Sequence, residues 1–149
     1  MPSLYFAAPL FSQAELEFNA RLAAEIEKLG IQVFLPQRDG IELVPGWVEM
    51  TAEERQQSIF RIDSEAVYAS DILLFVLDGR IPDEGACVEL GLAHAHRQAT
   101  GARRAIVGLM TDRRVATRDE RLNAMIAGAL DELHDDVPAL LAALRRLAA

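Results

Sequence analysis

This sequence of 149 residues contains one cysteine and no apolar run that reaches the roughly 18 residues of a membrane-spanning helix. A single cysteine, Cys87, excludes an internal disulfide bond and is typical of a protein of the reducing cytoplasm. The first residues, MPSLYFAAPLF, lack the basic start of a secretory signal. We therefore expect a cytoplasmic protein without a membrane segment, in which Cys87 is a small buried apolar residue rather than a nucleophile.

Basic residues are scarce relative to acids. The chain has 15 Lys and Arg against 23 Asp and Glu, which gives a formal net charge of −8. Nucleic acids and anionic membranes are bound through clustered Lys and Arg, so neither is an expected partner. The charge does not exclude a small neutral ligand, and the length fits one domain spanning residues 1–149.

Motifs for cofactors and metals are missing as well. The chain contains neither GxGxxG nor a Walker sequence, so dinucleotide and nucleoside triphosphate binding are weak interpretations. His94, His96 and His134 do not have the spacing of zinc ligands. His94 and His96 are two residues apart on a predicted helix and face different directions, which indicates surface or packing roles. We predict no metal and no organic cofactor.

Short apolar runs instead alternate with longer amphipathic segments. We predict strands at residues 3–8, 31–36, 71–77 and 103–110, with a weaker signal for a fifth at 130–133, and helices at 12–29, 51–69 and 86–98. Ser12 and Thr51 are each followed three residues later by a glutamate, the capping-box pattern, and Gly30 is expected just past the end of the first helix. Residues 37–47 and 111–121 are predicted loops. Strands that alternate with helices predict an α/β layer fold with a parallel sheet.

Three acids lie where the third predicted strand leads into a helix, in the stretch IPDEGACVELG. Parallel sheets bind ligands beyond the carboxyl ends of their strands, which is where Asp83, Glu84 and Glu89 are expected. With the helix starting near Ala86, its N-terminus would hold a carboxylate ionised. Gly85 would let the backbone turn sharply and leave room for a ligand.

Two interpretations of these acids remain open. An ionised carboxylate can attack a sugar carbon while a second carboxyl moves a proton on the leaving group. Alternatively, Asp83 and Glu84 simply begin a helix and Glu89 is a surface acid.

The chain resembles the nucleoside 2-deoxyribosyltransferases. The matching stretches, which together span most of the chain, are LYFAAPLFSQAE, VFLPQRDG, SDILLFVLDGRIPDEGACVELGLA and RLNAMIAGAL. The resemblance implies a Rossmann-like, flavodoxin-like three-layer α/β sandwich with a mostly parallel sheet of about five strands. It also implies the exchange of bases between 2′-deoxynucleosides through a covalent deoxyribosyl-enzyme intermediate.

Carried over by motif, the resemblance assigns three catalytic roles. Glu89 in CVELG is the nucleophile, Asp63 is the acid that protonates the departing base, and Tyr5 in LYFAAP orients the nucleophile. The implied substrate-binding residues are Phe6, Gln37, Arg38, Asp39, Asp83, Gly85, Asn123 and Met125. Asp83 would hold the deoxyribose hydroxyls or the base, and one of Gln37, Arg38 and Asp39 would read the base.

The resemblance further implies a homo-oligomer with shared active sites, in which Asn123 and Met125 reach the sugar 5′ end in a neighbouring subunit. Its expected partners are deoxynucleosides and free nucleobases.

Each assignment has a structural alternative: Tyr5 as a buried strand aromatic, Asp63 as a solvated helix acid, and Asn123 as a helix cap. The chain also departs from some members in ending LRRLAA, without a terminal aromatic residue, and in its long charged loop before Asn123.

Two other functions compete with base transfer. A hydrolase that cleaves the N-glycosidic bond of nucleoside 5′-monophosphates must pair a phosphate, usually with Arg, Ser or a helix N-terminus. The stretch AAPLFSQ offers Ser12 and a helix start but no Arg, which favours unphosphorylated nucleosides. A nucleotide-sensing module without turnover would not need an aligned nucleophile.

Overall fold

The computed structural model of the chain describes residues 1–40, 46–112 and 122–149. Its strands are β1 (Ser3–Ala7), β2 (Gln32–Phe34), β3 (Ile72–Val76), β4 (Ala105–Leu109) and β5 (Glu132–His134). Its helices are α1 (Gln13–Glu27), α2 (Pro36–Asp39), α3 (Ala52–Ala69), α4 (Glu84–Thr100), α5 (Ala124–Ala129) and α6 (Val137–Ala148), with a short 3-10 turn at Trp47–Glu49. None of the helices in these three ranges is both long and apolar enough to cross a membrane.

The five strands form one sheet in the order β2-β1-β3-β4-β5, and every pair is parallel. This is the strand order of the flavodoxin-like doubly wound fold. The predicted α/β fold with a parallel sheet is therefore confirmed. The weakly predicted fifth strand also exists, although it begins at Glu132, two residues later than expected.

Side chains on the two faces of the sheet build two separate cores. One core contains Leu4 and Phe6 of β1 and packs against α1 and α6. The other contains Tyr5 and Ala7 of the same strand and packs against α3, α4 and α5. Because successive side chains of a strand point to opposite faces, this alternation decides which residues of β1 face the helices that carry the candidate acids.

Local signals account for the starts of the long helices. The Ser12 side chain accepts from the Glu15 N–H while Glu15 accepts from the Ser12 N–H, and Thr51 and Glu54 form the same reciprocal pair. Both predicted capping boxes are thus confirmed. Helix α1 ends at Glu27 with Lys28 as its C-cap, two residues earlier than predicted, and Gly30, with φ of 79°, lies in the left-handed region that favours glycine after a helix.

Two local predictions were wrong. Residues 36–39, predicted as the end of the second strand and the start of a loop, form the one-turn helix α2, since Pro36 favours the first helical position and Asp39 accepts from the Leu35 N–H. Helix α4 starts at Glu84 rather than near Ala86, because Asp83 already caps it. Parts of the two predicted loops, residues 41–45 and 113–121, lie outside the described residues.

Candidate active site

A tyrosine and a glutamate that are 84 residues apart in the sequence meet at the centre of the site. Tyr5, fully buried in β1, donates a hydrogen bond from its Oη to Oε1 of Glu89 on α4, at 2.7 Å. The Tyr5 ring stacks on Phe34 of the neighbouring strand, with centroids 5.5 Å apart and planes 12° apart. The strand and its neighbour therefore hold the phenol in place, and the phenol in turn holds one carboxylate oxygen of Glu89.

A second acid, Asp63 on α3, lies near this pair. The negative charge of Asp63 acts on both Tyr5 and Glu89. Burial raises the pKa of Asp63 from its ordinary 3.8 to about 6. Asp63 is thus a partly buried helix acid, and near neutral pH it can hold or release a proton.

The pKa of Glu89 is also raised, from 4.5 to about 7. Burial is the main cause, and the charges of Asp63 and Asp83 add to it, while the hydrogen bond from Tyr5 lowers the pKa. A carboxylate at the first turn of this helix was expected to be held ionised, but Glu89 does not lie in that turn. Helix α4 starts five residues before Glu89, which places it beyond the first turn, where the helix dipole acts.

The phenol of Tyr5 remains a hydrogen-bond donor in this environment. Burial, and then the charges of Glu89 and Asp63, raise the pKa of Tyr5 far above its ordinary value. A neutral phenol beside a carboxylate stabilises the ionised form of that carboxylate. At Glu89, therefore, burial and the charges of Asp63 and Asp83 favour the protonated carboxyl, and the hydrogen bond from Tyr5 favours the ionised one.

Asp83 serves as a structural cap and contributes charge to the site. Its carboxylate accepts from the Ala86 N–H at 2.9 Å and so begins α4, and its charge contributes to the raised pKa of Glu89. The two interpretations of this acid are therefore compatible. Asp83 remains a predicted substrate ligand.

The glycine that turns the loop before α4 is Gly79, not Gly85. Gly79 has φ of 128°, whereas Gly85 has an ordinary negative φ. A Cβ on Gly85 would lie 3.2 Å from Oδ2 of Asp83. Gly85 therefore leaves room for the capping carboxylate, and a role in ligand binding stays a prediction.

The three loop residues predicted to read the base separate in the structure. The Arg38 guanidinium pairs with Glu27 and Asp39 and donates to the Val33 carbonyl. Together with Asp39 it borders a cavity of about 700 Å³ that is also lined by Ser3 and Gln32, at the amino ends of β1 and β2. Arg38 is thus committed to partners other than a base, whereas Asp39 also accepts from the Leu35 N–H directly after β2, and a role of either residue in base binding stays a prediction.

Gln37 behaves differently from its two neighbours. Its Nε2 donates to the Leu16 carbonyl and its Oε1 accepts from the side chain of Asn19 on α1. Asn19 also contacts the Pro9 carbonyl, in the loop that follows β1. Gln37 therefore belongs to the carboxyl edge of the sheet, where the site acids lie.

Phe6 is not part of this cluster. Its side chain is 1% exposed and packs into the core with α1 and α6, on the face of the sheet opposite to Tyr5. The Phe6 side chain is thus turned away from Tyr5, because adjacent strand residues point in opposite directions, and a role of Phe6 in substrate binding stays a prediction.

Asn123 and Met125 lie at the start of α5. The Asn123 side chain accepts from the Met125 N–H at 2.8 Å and caps the helix, as its structural alternative predicted. Met125 is 82% exposed. Both residues line an apolar groove of about 790 Å³ that also borders Pro82 and Cys87, next to the start of α4. Their predicted role in a neighbouring subunit stays open.

Cys87 is half-buried in that groove. Burial, followed by the charges of Asp83 and Glu84, raises the pKa of its thiol. A thiol that keeps its proton is a poor nucleophile, which agrees with the expected inert role. Within the described ranges, no group of three His, Cys, Asp or Glu residues is arranged to hold a metal ion.

Two polar residues at this edge were missed in the sequence. Asp78, directly after β3, accepts from the N–H and hydroxyl of Thr111 and from the Asp112 N–H, which ties together the segments that follow β3 and β4. Asn19 is 2% exposed on the apolar face of α1. Asn19 could have been noticed in the sequence, because it is an amide on the otherwise apolar face of the helix. Asp78 could not, because an acid after a strand is common and carries no specific signal.

Comparisons with known proteins agree with the fold. A solved structure of a conserved protein from Enterococcus faecalis V583 is 30% identical, with 99% of each chain covered and a TM-score of 0.81. The 2-deoxyribosyltransferase of the psychrotolerant bacterium Bacillus psychrosaccharolyticus is 22% identical over 95% of each chain, with a TM-score of 0.75. The CMP N-glycosidase BcmB of Clostridium botulinum is 15% identical, over 97% of this chain and 98% of its own, with a TM-score of 0.58.

A comparison with curated protein sequences finds no significant match. The sequence model of the nucleoside 2-deoxyribosyltransferases, by contrast, matches residues 4–125. That range contains Tyr5, Asp63, Asp83 and Glu89, the residues that the site brings together. The chain therefore belongs to the nucleoside 2-deoxyribosyltransferase family.

Proposed function

We propose that this protein transfers 2-deoxyribose between purine and pyrimidine bases of 2′-deoxynucleosides, through a covalent intermediate on Glu89, with hydrolysis as a side reaction. The observation that carries the proposal is the 2.7 Å hydrogen bond from Tyr5 to Glu89, with Asp63 close enough for its charge to act on both. A nucleophilic carboxylate held by a donor, beside a second carboxyl of raised pKa, is the arrangement that a retaining glycosyl transfer requires.

In the first half-reaction, a carboxylate oxygen of Glu89 attacks C1′ of the sugar. The C1′–N bond breaks, and its electron pair leaves with the base while a proton passes from Asp63, or from a water that Asp63 positions, to the base. Tyr5 donates a hydrogen bond to one carboxylate oxygen of Glu89 and so keeps the carboxylate in its orientation during the attack. The products are a deoxyribosyl ester of Glu89 and a neutral free base.

In the second half-reaction, a nitrogen of another base attacks C1′ of the ester and loses its proton to Asp63. The C1′–O bond breaks, and Glu89 returns as a carboxylate. Two inversions at C1′ give retention overall. Water in place of the second base gives free deoxyribose, which is the hydrolytic side reaction.

The raised pKa values place proton exchange by both carboxyls near neutral pH, but the higher value belongs to Glu89, so its proton must pass to Asp63 before the attack. The reactive state has Glu89 ionised and Asp63 protonated. With pKa values of about 7 for Glu89 and about 6 for Asp63, both groups exchange protons close to neutral pH. Because the two charges repel each other, the loss of one proton from the pair makes loss of the second harder, which favours the state that holds a single proton.

A second candidate is hydrolysis of nucleoside 5′-monophosphates, which is the activity named for the CMP N-glycosidase of similar fold. The same nucleophile and acid would serve it. Two observations favour a substrate without phosphate: the charges of Asp63 and Asp83 both act at Glu89, and Arg38 is committed to Glu27 and Asp39. A phosphate dianion near this site would meet like charges.

Product analysis separates the two activities. Deoxyinosine would be incubated with the enzyme, with and without adenine, and the products resolved by chromatography. Transfer predicts deoxyadenosine and hypoxanthine only when adenine is present. Free deoxyribose alone, in both reactions, would show a hydrolase, and preferential cleavage of deoxyinosine 5′-monophosphate would favour the nucleotide substrate.

The covalent intermediate has its own test. A 2-fluorinated deoxynucleoside slows turnover, so mass spectrometry of the digested protein is expected to show the added sugar on the peptide that holds Glu89. Glu89→Ala is expected to lose base exchange and trapping, while Glu84→Ala, an exposed acid of the same helix, keeps both. Near-normal exchange by Glu89→Ala would contradict the assignment.

A further inference from the structure

The most deeply buried polar side chain of helix α1 is Asn19. The inward face of this helix consists of Asn19, Leu22, Ala23 and Ile26, and Asn19 is 2% exposed. A leucine would complete the apolar stripe at this position. An amide in such a place is costly unless its hydrogen bonds are made, so its partners indicate why it is there.

Both partners of Asn19 lie at the carboxyl edge of the sheet. Its Nδ2 donates one hydrogen bond to the Pro9 carbonyl at 2.9 Å and another to Oε1 of Gln37 at 3.1 Å. Pro9 follows β1, the strand of Tyr5, and Gln37 follows β2. One buried amide therefore joins the segments that follow β1, the strand of Tyr5, and β2, at the carboxyl edge of the sheet.

These bonds define the orientation of the Gln37 amide. Its Oε1 faces Asn19, and one hydrogen of its Nε2 is given to the Leu16 carbonyl at 2.9 Å. A glutamine amide has two donor hydrogens and an oxygen with two lone pairs. After these contacts, Gln37 retains one donor and one acceptor in a set order, and the exchange of its N and O atoms is opposed on both sides.

We propose that Asn19 is a positioning residue that acts through Gln37, by setting which end of the Gln37 amide donates and which accepts toward the nucleobase. The inference rests on the proposed base transfer and goes beyond it, because it assigns part of the base preference to a residue that does not touch substrate. Adenine and hypoxanthine are the informative pair of probes. They share one ring system but present opposite donor and acceptor orders on the six-membered ring.

The decisive variant is Asn19→Asp, which keeps the shape but replaces the donor by an acceptor. The carboxylate is expected to attract Nε2 of Gln37 and repel Oε1, which inverts the amide. The preference between adenine and hypoxanthine, measured as the ratio of their kcat/KM values as acceptor bases, is then expected to change about tenfold, the size expected for one misplaced hydrogen bond. Asn19→Leu removes the donor without charge and is expected to reduce the preference.

The matched control is Ser70→Ala. Ser70 is also buried, and its hydroxyl donates to the Ala66 carbonyl just before β3, at the opposite end of the sheet. Its loss removes a buried hydrogen bond without touching the carboxyl edge. The ratio for the two bases is expected to stay that of wild type, even if the melting temperature falls.

A double-mutant cycle separates positioning from packing. In a Gln37→Met background, Asn19→Asp is expected to have no further effect on the preference, because its route of action is gone. Proportional losses for both bases, or an Asn19→Asp effect of the same size with and without Gln37, would overturn the inference.

Calorimetric titration with free adenine and hypoxanthine tests this inference separately from the proposed function, because it measures binding of the bases and not their exchange. The same change in preference is expected in the dissociation constants, without turnover. Wild-type protein that binds the bases but does not exchange them would overturn the transferase and leave the inference standing. Wild-type exchange with an unchanged preference in Asn19→Asp would overturn the inference alone.

Discussion

Glu89 combines two opposed requirements in one side chain. It must be ionised to attack a sugar carbon, yet burial and the charges of Asp63 and Asp83 favour its protonated form. The hydrogen bond from Tyr5 works in the other direction. The chemistry of the site therefore depends on a balance in which one phenol opposes desolvation and two neighbouring acids.

Replacing Tyr5 by phenylalanine tests that balance. Tyr5→Phe keeps the ring that stacks on Phe34 but removes the donor, so the pKa of Glu89 is expected to rise above about 7. The acidic limb of the profile of kcat/KM against pH should move to higher pH, and kcat should fall about 10- to 100-fold, the usual worth of a hydrogen bond to a charged group. Tyr68→Phe, at an exposed tyrosine, is the control. An unshifted limb in Tyr5→Phe would show that the hydrogen bond does not control Glu89.

The raised pKa of Glu89 also has a consequence for stability. The folded protein holds this proton more tightly than the unfolded chain, in which the pKa is near 4.5. The protonated form of Glu89 therefore favours the folded state fully below about pH 4.5. As the pH rises from there to about 7, Glu89 must ionise in its buried position, and the free energy of unfolding falls.

Glu89→Gln removes this penalty on the ionised form. The variant is expected to be more stable than wild type by about 1–3 kcal/mol near pH 8, since one pKa unit corresponds to about 1.4 kcal/mol, and similar to wild type near pH 4. Thermal unfolding at both pH values measures the difference, with Glu65→Gln on the surface of α3 as the control. A variant less stable than wild type at both pH values would contradict burial as the cause of the shift.

At the scale of elements, the start of α4 both fixes where the helix begins and places a negative charge near Glu89. Asp83 caps the helix through the Ala86 N–H, Gly85 leaves room for that carboxylate, and Glu89 follows on the face toward β1 and Tyr5. The cap sets where the helix begins and therefore which turn carries Glu89. A change at Asp83 thus alters both the helix and the electrostatics of the site.

Two substitutions separate these roles of Asp83. Asparagine is as good a cap as aspartate, so Asp83→Asn is expected to keep the melting temperature, while Asp83→Ala loses about 1 kcal/mol. Both remove a charge that raises the pKa of Glu89, so both should move the acidic limb of the pH profile to lower pH. If Asp83 also binds substrate, KM rises in both variants. A melting temperature that falls equally in both would argue against capping as the structural role.

At the scale of the whole molecule, the groove at α5 bears on whether one chain makes a complete site. The groove runs from Pro82 and Cys87 to Asn123 and Met125, and Met125 and Ile81 are more than 80% exposed. Large exposed apolar side chains around a groove are typical of a surface that another molecule covers. We propose that a second copy of this chain covers it and that Asn123 completes the partner's sugar site.

Subunit mixing tests this arrangement. Glu89→Ala and Asn123→Ala are each expected to be inactive, but an equal mixture should recover activity, because one site in each mixed pair combines an intact Glu89 with an intact Asn123. For a twofold dimer with random exchange, about one quarter of the sites are intact. Asn123→Asp, which keeps a capping side chain, controls for simple loss of the helix cap. A fully active monomer by light scattering, or no recovery after proven exchange, would show that Asn123 serves its own helix alone.

The sequence by itself determined the features that depend on near neighbours in the chain. The capping boxes at Ser12 and Thr51 are contacts across three residues, and the apolar run of β3 reflects a strand covered on both faces. The order of strands and helices then restricts the fold to a parallel α/β layer, because parallel strands need crossover helices between them. The motif resemblance likewise indicated Glu89, Asp63 and Tyr5 before any contact was known.

Only the tertiary structure decided how those residues act on each other. Tyr5 meets Glu89 across 84 residues, and the pKa of Asp63 depends on burial by side chains from other elements. The same holds for Phe6, which the strand turns away from the site, and for Asn19, whose partners follow two different strands. Desolvation and hydrogen bonding between distant segments exist only once the chain is packed, so no local pattern could have specified them.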